Sequence, residues 1–170
     1  MATDFGVPAN TTTNISSDTT VAQGNRYVVQ NNATLTIDSG VSMTTTIGGL
    51  YGNVMLNASG ATLINNGHLY NNGGVSTNTA VHGTTTLTNN GIIDNKSWIS
   101  SSGDVKLTNT GTINNQTADG NIYTYNIENN DGVINNESGA ILSIWNVLNN
   151  NSSTPSVAQI LNDNATISFK

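Results

Sequence analysis

Apolar and polar residues alternate in short runs along most of the chain. Residues 34–37, 123–127 and 165–169 are examples in which every second side chain is apolar. A period of two residues is typical of a β-strand that buries one face. No segment keeps a 3.6-residue apolar period for ten residues, the pattern that an amphipathic helix requires. The pattern therefore predicts an all-β protein with almost no helix.

These runs belong to an internal repeat of the form Leu/Ile-x-Asn-x-Gly-x-Leu/Ile-x-Asn. Its clearest copies occupy residues 63–71, 87–95 and 107–115, and a fourth copy at 127–136 contains one inserted residue. With weaker copies included, the first apolar residues of the repeats are Leu35, Leu63, Leu87, Leu107, Ile127 and Leu148, which lie 28, 24, 20, 20 and 21 residues apart. A period of this size suits one coil of a parallel β-solenoid with about three short strands. Leucine-rich repeats have a similar period but need several Leu per repeat, which this chain lacks.

In such a coil, the alternating Leu and Ile residues point inward and stack about 4.8 Å from their equivalents in the next coil. The Asn that lies two residues after each apolar anchor can form a ladder of amide hydrogen bonds from coil to coil. The predicted ladder consists of Asn65, Asn89, Asn109 and Asn129. The repeated glycines mark a turn that does not tolerate a side chain, and they are Gly67, Gly91, Gly111 and Gly132. We interpret all eight residues as structural.

The repeat divides the chain into three parts of a single domain spanning residues 1–170. Residues 31–148 carry the repeats, whereas residues 1–30 do not fit them. Within residues 1–30, the segment 21–29 is predicted to be a first strand that covers one end of the stack or forms a joint. Residues 149–170 are predicted to form a loop and a final strand near 160–169. The predicted fold is a right-handed parallel β-helix of about six or seven coils.

Composition excludes two classes of partner. The 170 residues are 8% charged, with only four Lys and Arg, which is too few for a phosphate-binding track along a nucleic acid. No apolar run reaches the roughly 18–20 residues of a membrane-spanning helix. The start of the chain lacks a basic segment followed by an apolar one, so we predict no signal peptide; either a leader has been removed or the protein is not exported by the route that needs one. The 35% hydrophobic content is low for an ordinary core, but a narrow solenoid interior needs less.

The titratable residues do not form a recognisable catalytic or metal-binding pattern. Aligned on the repeat, no two of the ten Asp and Glu residues share a column in adjacent coils, so we predict no enzymatic activity. His68 and His82 could approach each other across a coil, but no third ligand is evident. We therefore interpret them as solvated histidines in turns and predict neither a metal nor another cofactor.

The repeat Leu-Thr-Asn-x-Gly-Thr-Ile-Asn-Asn at residues 107–115 resembles the Asn-rich repeats of right-handed parallel β-helices in bacterial surface adhesins. Passenger regions of autotransporters and of filamentous-haemagglutinin-like secreted proteins contain such repeats, and the resemblance covers about residues 33–148. It implies a secreted, extracellular or cell-surface protein with a role in adhesion. The chain departs from this family in its short length and in the absence of a transport element.

These observations favour a non-catalytic structural or adhesive solenoid that stacks end to end into homo-oligomers, because a solenoid has unpaired strand edges at its ends. Residues 1–30 and 160–170 would form the joints. The alternative is a rigid binding module, such as a phage tail or virion component, that contacts glycans or a receptor. Its candidate surface residues are Tyr51, Tyr70, Trp98 and Tyr123. A lesser alternative is ice binding through Thr-x-Thr motifs, whose columns include Thr34 and Thr36 but are interrupted in later coils.

Overall fold

The chain folds into a three-sided parallel β-solenoid of about 7 turns. The structure is a computed structural model that describes residues 3–46, 53–78, 83–100, 105–152 and 158–169. Strands make up 61% of these residues and none of them is helical, which confirms the predicted all-β class and the predicted number of coils.

Each turn places one strand on each of three faces, numbered in the order in which the chain visits them. Face 1 contains β1 (Asp4–Val7), β4 (Arg26–Val29), β7 (Val54–Leu56), β10 (Val75–Thr77), β13 (Trp98–Ile99), the first parts of β16 (Asn121–Asn130) and β18 (Ile141–Asn151), and β20 (Thr166–Phe169). Face 2 contains β2 (Thr12–Ile15), β5 (Thr34–Ile37), β8 (Thr62–Asn65), β11 (Thr85–Asn89), β14 (Val105–Asn109) and the second parts of β16 and β18. Face 3 contains β3 (Thr19–Val21), β6 (Ser42–Thr45), β9 (His68–Asn71), β12 (Ile92–Asn95), β15 (Thr112–Asn115), β17 (Val133–Asn136) and β19 (Gln159–Asn162).

Every strand pairs in parallel with the strand one turn earlier or later on the same face. On face 2 the pairing partners follow the repeat, in the order Leu35, Leu63, Leu87, Leu107, Ile127 and Leu148. The alignment of anchors predicted from the sequence is therefore the pairing register of the structure. The strands β16 and β18 continue round the corner from face 1 to face 2, where register shifts accommodate Tyr125 in β16 and Trp145 in β18.

The core is a stack of thin apolar layers. Face 2 contributes Leu35, Leu63, Leu87, Leu107 and Ile127, and face 3 contributes Met43, Leu69, Ile93, Ile113 and Ile134, all at most 1% exposed. Face 1 adds Val54, Val75, Ile99, Ile122 and Leu142, which are fully buried. Because three inward columns enclose a narrow interior, few large side chains per turn are enough to fill it. This explains how 35% hydrophobic residues can support the fold.

The structure corrects the predicted strands outside the repeats. Residues 4–21 form a complete first turn, and the predicted strand at 21–29 is two strands, because residues 22–25 turn the corner from face 3 to face 1. The predicted final strand near 160–169 is likewise two strands, β19 and β20, on different faces. These segments lack the Asn-Gly motif, but main-chain pairing and alternate apolar side chains suffice to add them to the stack.

Candidate functional site

The predicted Asn ladder lies inside the solenoid, at the corner between faces 2 and 3. The Nδ2 atom of Asn65 donates to Oδ1 of Asn89 at 2.8 Å, and Asn89 donates to Asn109 at 2.8 Å. Asn109 donates to Asn129 at 2.7 Å, and the ladder continues to Asn150, also at 2.7 Å. The first four side chains are fully buried, so these amides satisfy one another where water is excluded. The prediction is confirmed, and the ladder is one residue longer than predicted.

A second ladder, which was not predicted from the sequence, runs along the corner between faces 3 and 1. It links Asn71, Asn95, Asn115, Asn136 and Asn162 through Nδ2 to Oδ1 distances of 2.6–2.8 Å. The signal for the first four was present in the sequence, since they are the second Asn of each clear repeat, whereas Asn162 lies outside the repeats. Both sets of amides also donate to main-chain carbonyls at the corners, as Asn65 does to Ile92 at 2.8 Å. The ladders thus donate hydrogen bonds to main-chain carbonyls at two of the three corners.

Both ladders have a direction, because each amide donates toward the later turn and accepts from the earlier one. At the start of the second ladder, Thr45 donates through Oγ1 to Oδ1 of Asn71 at 3.1 Å. The residue at the equivalent position before the first ladder is Ile37, and the buried Oδ1 of Asn65 has no hydrogen-bond partner among the described residues. The stack is therefore polar along its axis, with amide donors directed toward its C-terminal end.

The recurrence of glycine at the same place in each repeat reflects close contact between turns. A Cβ atom at Gly91 would overlap the carbonyl oxygen of Gly67, and one at Gly111 would overlap that of Gly91. A Cβ at Gly67 would overlap the carbonyl oxygens of Val41 and Asp38. None of these three glycines has a positive φ, so steric contact and not backbone conformation excludes a side chain. This confirms that the turn does not tolerate a side chain.

Gly132 has a different role in the turn that contains the inserted residue. A Cβ at Gly132 would meet Nδ2 of Asn109 and Oδ1 of Asn129, both of them ladder atoms. The insertion itself is taken up at Asp131, whose φ is 59°. Gly132 therefore leaves room for the ladder to pass the irregular turn.

The aromatic residues proposed for surface binding do not form one platform. Tyr70 lies on the outer side of face 3 and is 37% exposed. Trp98 and Tyr123 lie on face 1 in successive turns and are half-buried, with the Trp98 ring in contact with Gly74. Tyr51 lies outside the described residues.

A row of polar side chains crosses the outer side of face 3. The Nε2 atom of His68 lies 2.9 Å from Oδ2 of Asp94, and Asn114 donates to Oδ1 of Asp94 at 2.7 Å. Asn135 donates to Asn114 at 2.8 Å, while the His68 ring stacks on Tyr70 with centroids 3.8 Å apart. His68 is thus a strand residue that bridges two turns, not the predicted histidine in a turn, because the pairing of β9 with β12 brings it beside Asp94.

The carboxylate of Asp94 is engaged by other side chains of this row. Both carboxylate oxygens of Asp94 already have hydrogen-bond partners. Within the described ranges, no three His, Cys, Asp or Glu residues are grouped so as to hold a metal ion. His82 lies outside those ranges. The row ties four turns together on a lateral face and leaves Tyr70 partly open to solvent.

The outer side of face 2 carries two columns that are rich in threonine. One column reads Thr12, Thr34, Thr62, Thr86, Lys106 and Asn126, and the other reads Asn14, Thr36, Ile64, Thr88, Thr108 and Glu128. The pairing confirms the columns derived from the sequence and adds the first turn to each. Both columns still lose Thr in the later turns.

The two ends of the stack expose strand edges together with apolar side chains. At the N-terminal end, Phe5 is 42% exposed and packs against Tyr27 with ring centroids 5.3 Å apart. At the C-terminal end, Phe169 is 64% exposed, whereas the exposed Leu161 lies on the outer side of face 3, in the column of Asn135. Among the described residues, the terminal strands β1, β2, β3, β19 and β20 each pair with a single neighbour.

The N-terminal turn is also tied down by an ion pair. The Arg26 guanidinium donates to both carboxylate oxygens of Asp4, at 2.7 and 2.9 Å, and these hydrogen bonds lower the pKa of Asp4. The pair contributes little to stability because it is exposed to solvent. Burial raises the pKa of Tyr27, which packs beside it.

No helix among the described residues is long and apolar enough to cross a membrane. Comparison of the chain with protein-family models, with curated proteins and with solved structures finds no match.

Proposed function

We propose that the protein is a non-catalytic structural or adhesive β-solenoid at an extracellular surface, and that copies stack head to tail into filaments. The observation that carries this proposal is the state of the two ends, each of which has strands paired on one side and partly uncovered apolar side chains. Unpaired strand edges are templates for pairing with another chain. The resemblance of the repeats to those of surface adhesins supports the extracellular location.

The polarity of the stack favours a head-to-tail arrangement. All strands on a face run parallel, and the amides of both ladders donate in one direction. A second copy placed on the C-terminal end can continue parallel pairing on all three faces only if it presents its first turn. An interface between two different ends gives a ring only if the rotation between copies closes, and stacking along the solenoid axis does not close, so it extends into an open filament.

Wild-type protein without a tag is therefore expected to form filaments as its concentration rises. About 7 turns at about 4.8 Å per turn correspond to an axial repeat of roughly 34 Å. Light scattering across a concentration series and negative-stain microscopy would measure the assembly. A chain that stays monomeric over the whole series would contradict the proposal.

A pair of matched variants separates assembly through the ends from lateral association. Phe5→Lys places a charge in the first turn, whereas Ile92→Lys places one on the lateral face 3, and the two native side chains are 42% and 41% exposed. An unpaired charge in a joint is costly to desolvate. Phe5→Lys is therefore expected to raise the critical concentration for assembly at least about tenfold, with little change for Ile92→Lys.

A second candidate function is glycan binding on face 3. It is favoured by the stacked rings of Tyr70 and His68 beside the hydrogen-bonding groups of Asp94 and Asn114. Aromatic faces flanked by polar groups suit sugar rings, which have an apolar side and many hydroxyls. On this hypothesis Tyr70→Ala should weaken binding of the monomer to a glycan array at least about tenfold. Trp145→Ala removes another exposed aromatic side chain and is the control, which should leave binding unchanged. Absence of saturable binding by the wild type would exclude it.

A further inference from the structure

We infer that β20 occupies the position in which β1 of a second copy would pair, so that head-to-tail stacking of this 170-residue chain requires β20 to be displaced. The partner is thus a second copy of this chain. The contact that blocks its binding is the pairing of β20 with β18 within the same chain. This inference rests on the head-to-tail assembly proposed above.

The order of the faces places β1 and β20 in competition. The chain visits faces 1, 2 and 3 in each turn, and β19 on face 3 completes the seventh turn. The next position is on face 1, over the first part of β18, where β20 pairs from Ile141 with Thr166 to Ile144 with Phe169. A second copy that continues the coil also begins on face 1, with β1.

With β20 in place, a second copy can stack only one turn further away. Its β2 and β3 would then lie two layers, not one, from the second part of β18 and from β19. The main-chain groups along those two edges would stay unpaired, and the half-buried Leu148 and Ile160 would stay uncovered. Once β20 leaves, β1, β2 and β3 of the second copy can pair directly with the first part of β18, the second part of β18 and β19.

The side chains of β1 suit the position that β20 holds. In β20, Ile167 lies in the same column as the buried Leu142, and Phe169 lies in the column of Ile144. In β1, Phe5 and Val7 occupy these two columns at the other end of the stack. Both strands therefore direct two apolar side chains inward at the same spacing, so one can replace the other without a shift of register.

The contacts that retain β20 are few. Ser143 and Ser168 are joined by an Oγ to Oγ hydrogen bond of 2.6 Å, and the carbonyl of Thr166 accepts from Nδ2 of Asn136 at 3.0 Å. Within the described part of the chain, β20 pairs with β18 alone, and Phe169 remains 64% exposed. A terminal strand with so little buried surface opens at a low free-energy cost compared with the interior turns.

A reversible cross-link tests whether β20 must leave. Ser143 and Ser168 are direct pairing partners, and the chain contains no Cys, so the double variant Ser143→Cys/Ser168→Cys can form a single disulfide between neighbouring strands. The oxidised variant is expected to stay monomeric at concentrations at which the wild type forms filaments, and to assemble after reduction. Thr88→Cys/Thr108→Cys, a pair on the outer side of face 2 away from both ends, is the control and should assemble in both redox states.

A shortened chain of residues 1–164 provides an independent measurement, because it lacks β20. It is expected to assemble at a critical concentration at least tenfold below that of the wild type, with an unchanged circular dichroism spectrum. Assembly of the oxidised Ser143→Cys/Ser168→Cys variant at the wild-type concentration would overturn the role of β20 while leaving head-to-tail stacking intact. If neither the wild type nor the shortened chain assembles, the proposed stacking itself fails.

Discussion

Asn109→Asp is expected to lower the free energy of unfolding by about 4 kcal/mol relative to the wild type at pH 7, and by about 1 kcal/mol at pH 3. Asn109 is fully buried in the middle of the first ladder, accepting from Asn89 and donating to Asn129. The new carboxyl group can still accept from Asn89, but it has no Nδ2 with which to donate. Its second oxygen would face the oxygens of Asn129 and Gly111. The neighbouring groups therefore destabilise the ionised form.

The pH dependence follows from the direction in which the pKa of the new carboxyl group moves. Burial without a cationic partner raises the folded-state pKa above the value of about 3.9 in the unfolded chain. Below that value the group is protonated in both states, and the variant loses only hydrogen-bond geometry. As the pH rises toward the folded-state pKa, the unfolded chain ionises first and stability is lost. Keeping a group of pKa about 3.9 protonated at pH 7 costs about 4 kcal/mol, which limits this effect.

Urea unfolding of Asn109→Asp and the wild type at several pH values between 3 and 7 would measure this difference. Asn90→Asp is the control, because Asn90 is exposed and donates to Asn66 at 2.9 Å in an outer, solvated row. Its effect should stay below about 1 kcal/mol and vary little with pH. Equal pH profiles for the two variants would show that the ladder amides are not energetically coupled as the distances imply.

Gly91→Ala is expected to destabilise the fold by about 3 kcal/mol or more, a large effect for the addition of one methyl group. The new Cβ would overlap the carbonyl oxygen of Gly67 in the preceding turn. That oxygen accepts a hydrogen bond from the amide of Ile92 at 2.9 Å, so it cannot move away without breaking the pairing between β9 and β12. The clash is therefore with main chain on both sides and cannot be relieved by a change of rotamer.

Gly6→Ala is the matched control for this substitution. A Cβ at Gly6 meets nothing within 4 Å, and its φ is not in the left-handed region. Its unfolding midpoint, measured by thermal or urea denaturation, should lie close to that of the wild type. A small and equal effect of both alanine substitutions would contradict the close approach of successive turns at Gly91.

The predictions made from the repeat differ most from the structure at the two ends of the chain. Between Leu63 and Ile134, similar residue types recur at equivalent positions, so one assignment of inward and outward sides applies to four turns at once. The anchors, the first ladder and the glycine turns follow from that regularity. The first turn at residues 4–21 has no such motif, and its place in the stack depends on main-chain pairing that any alternating segment can make.

The sequence by itself determined the all-β class, the coil of about three strands and the residues of the narrow core, because a repeated period of alternation leaves few ways to bury the same apolar positions. Only the tertiary structure decided which unlike side chains from different turns meet, beyond the repeated columns. The contact between His68 and Asp94 joins residues 26 positions apart, in turns that differ in length. The competition between β1 and β20 likewise depends on the face on which the last strand lies. Such contacts depend on the number of residues in every turn between the two positions. A local pattern of residues does not encode that number.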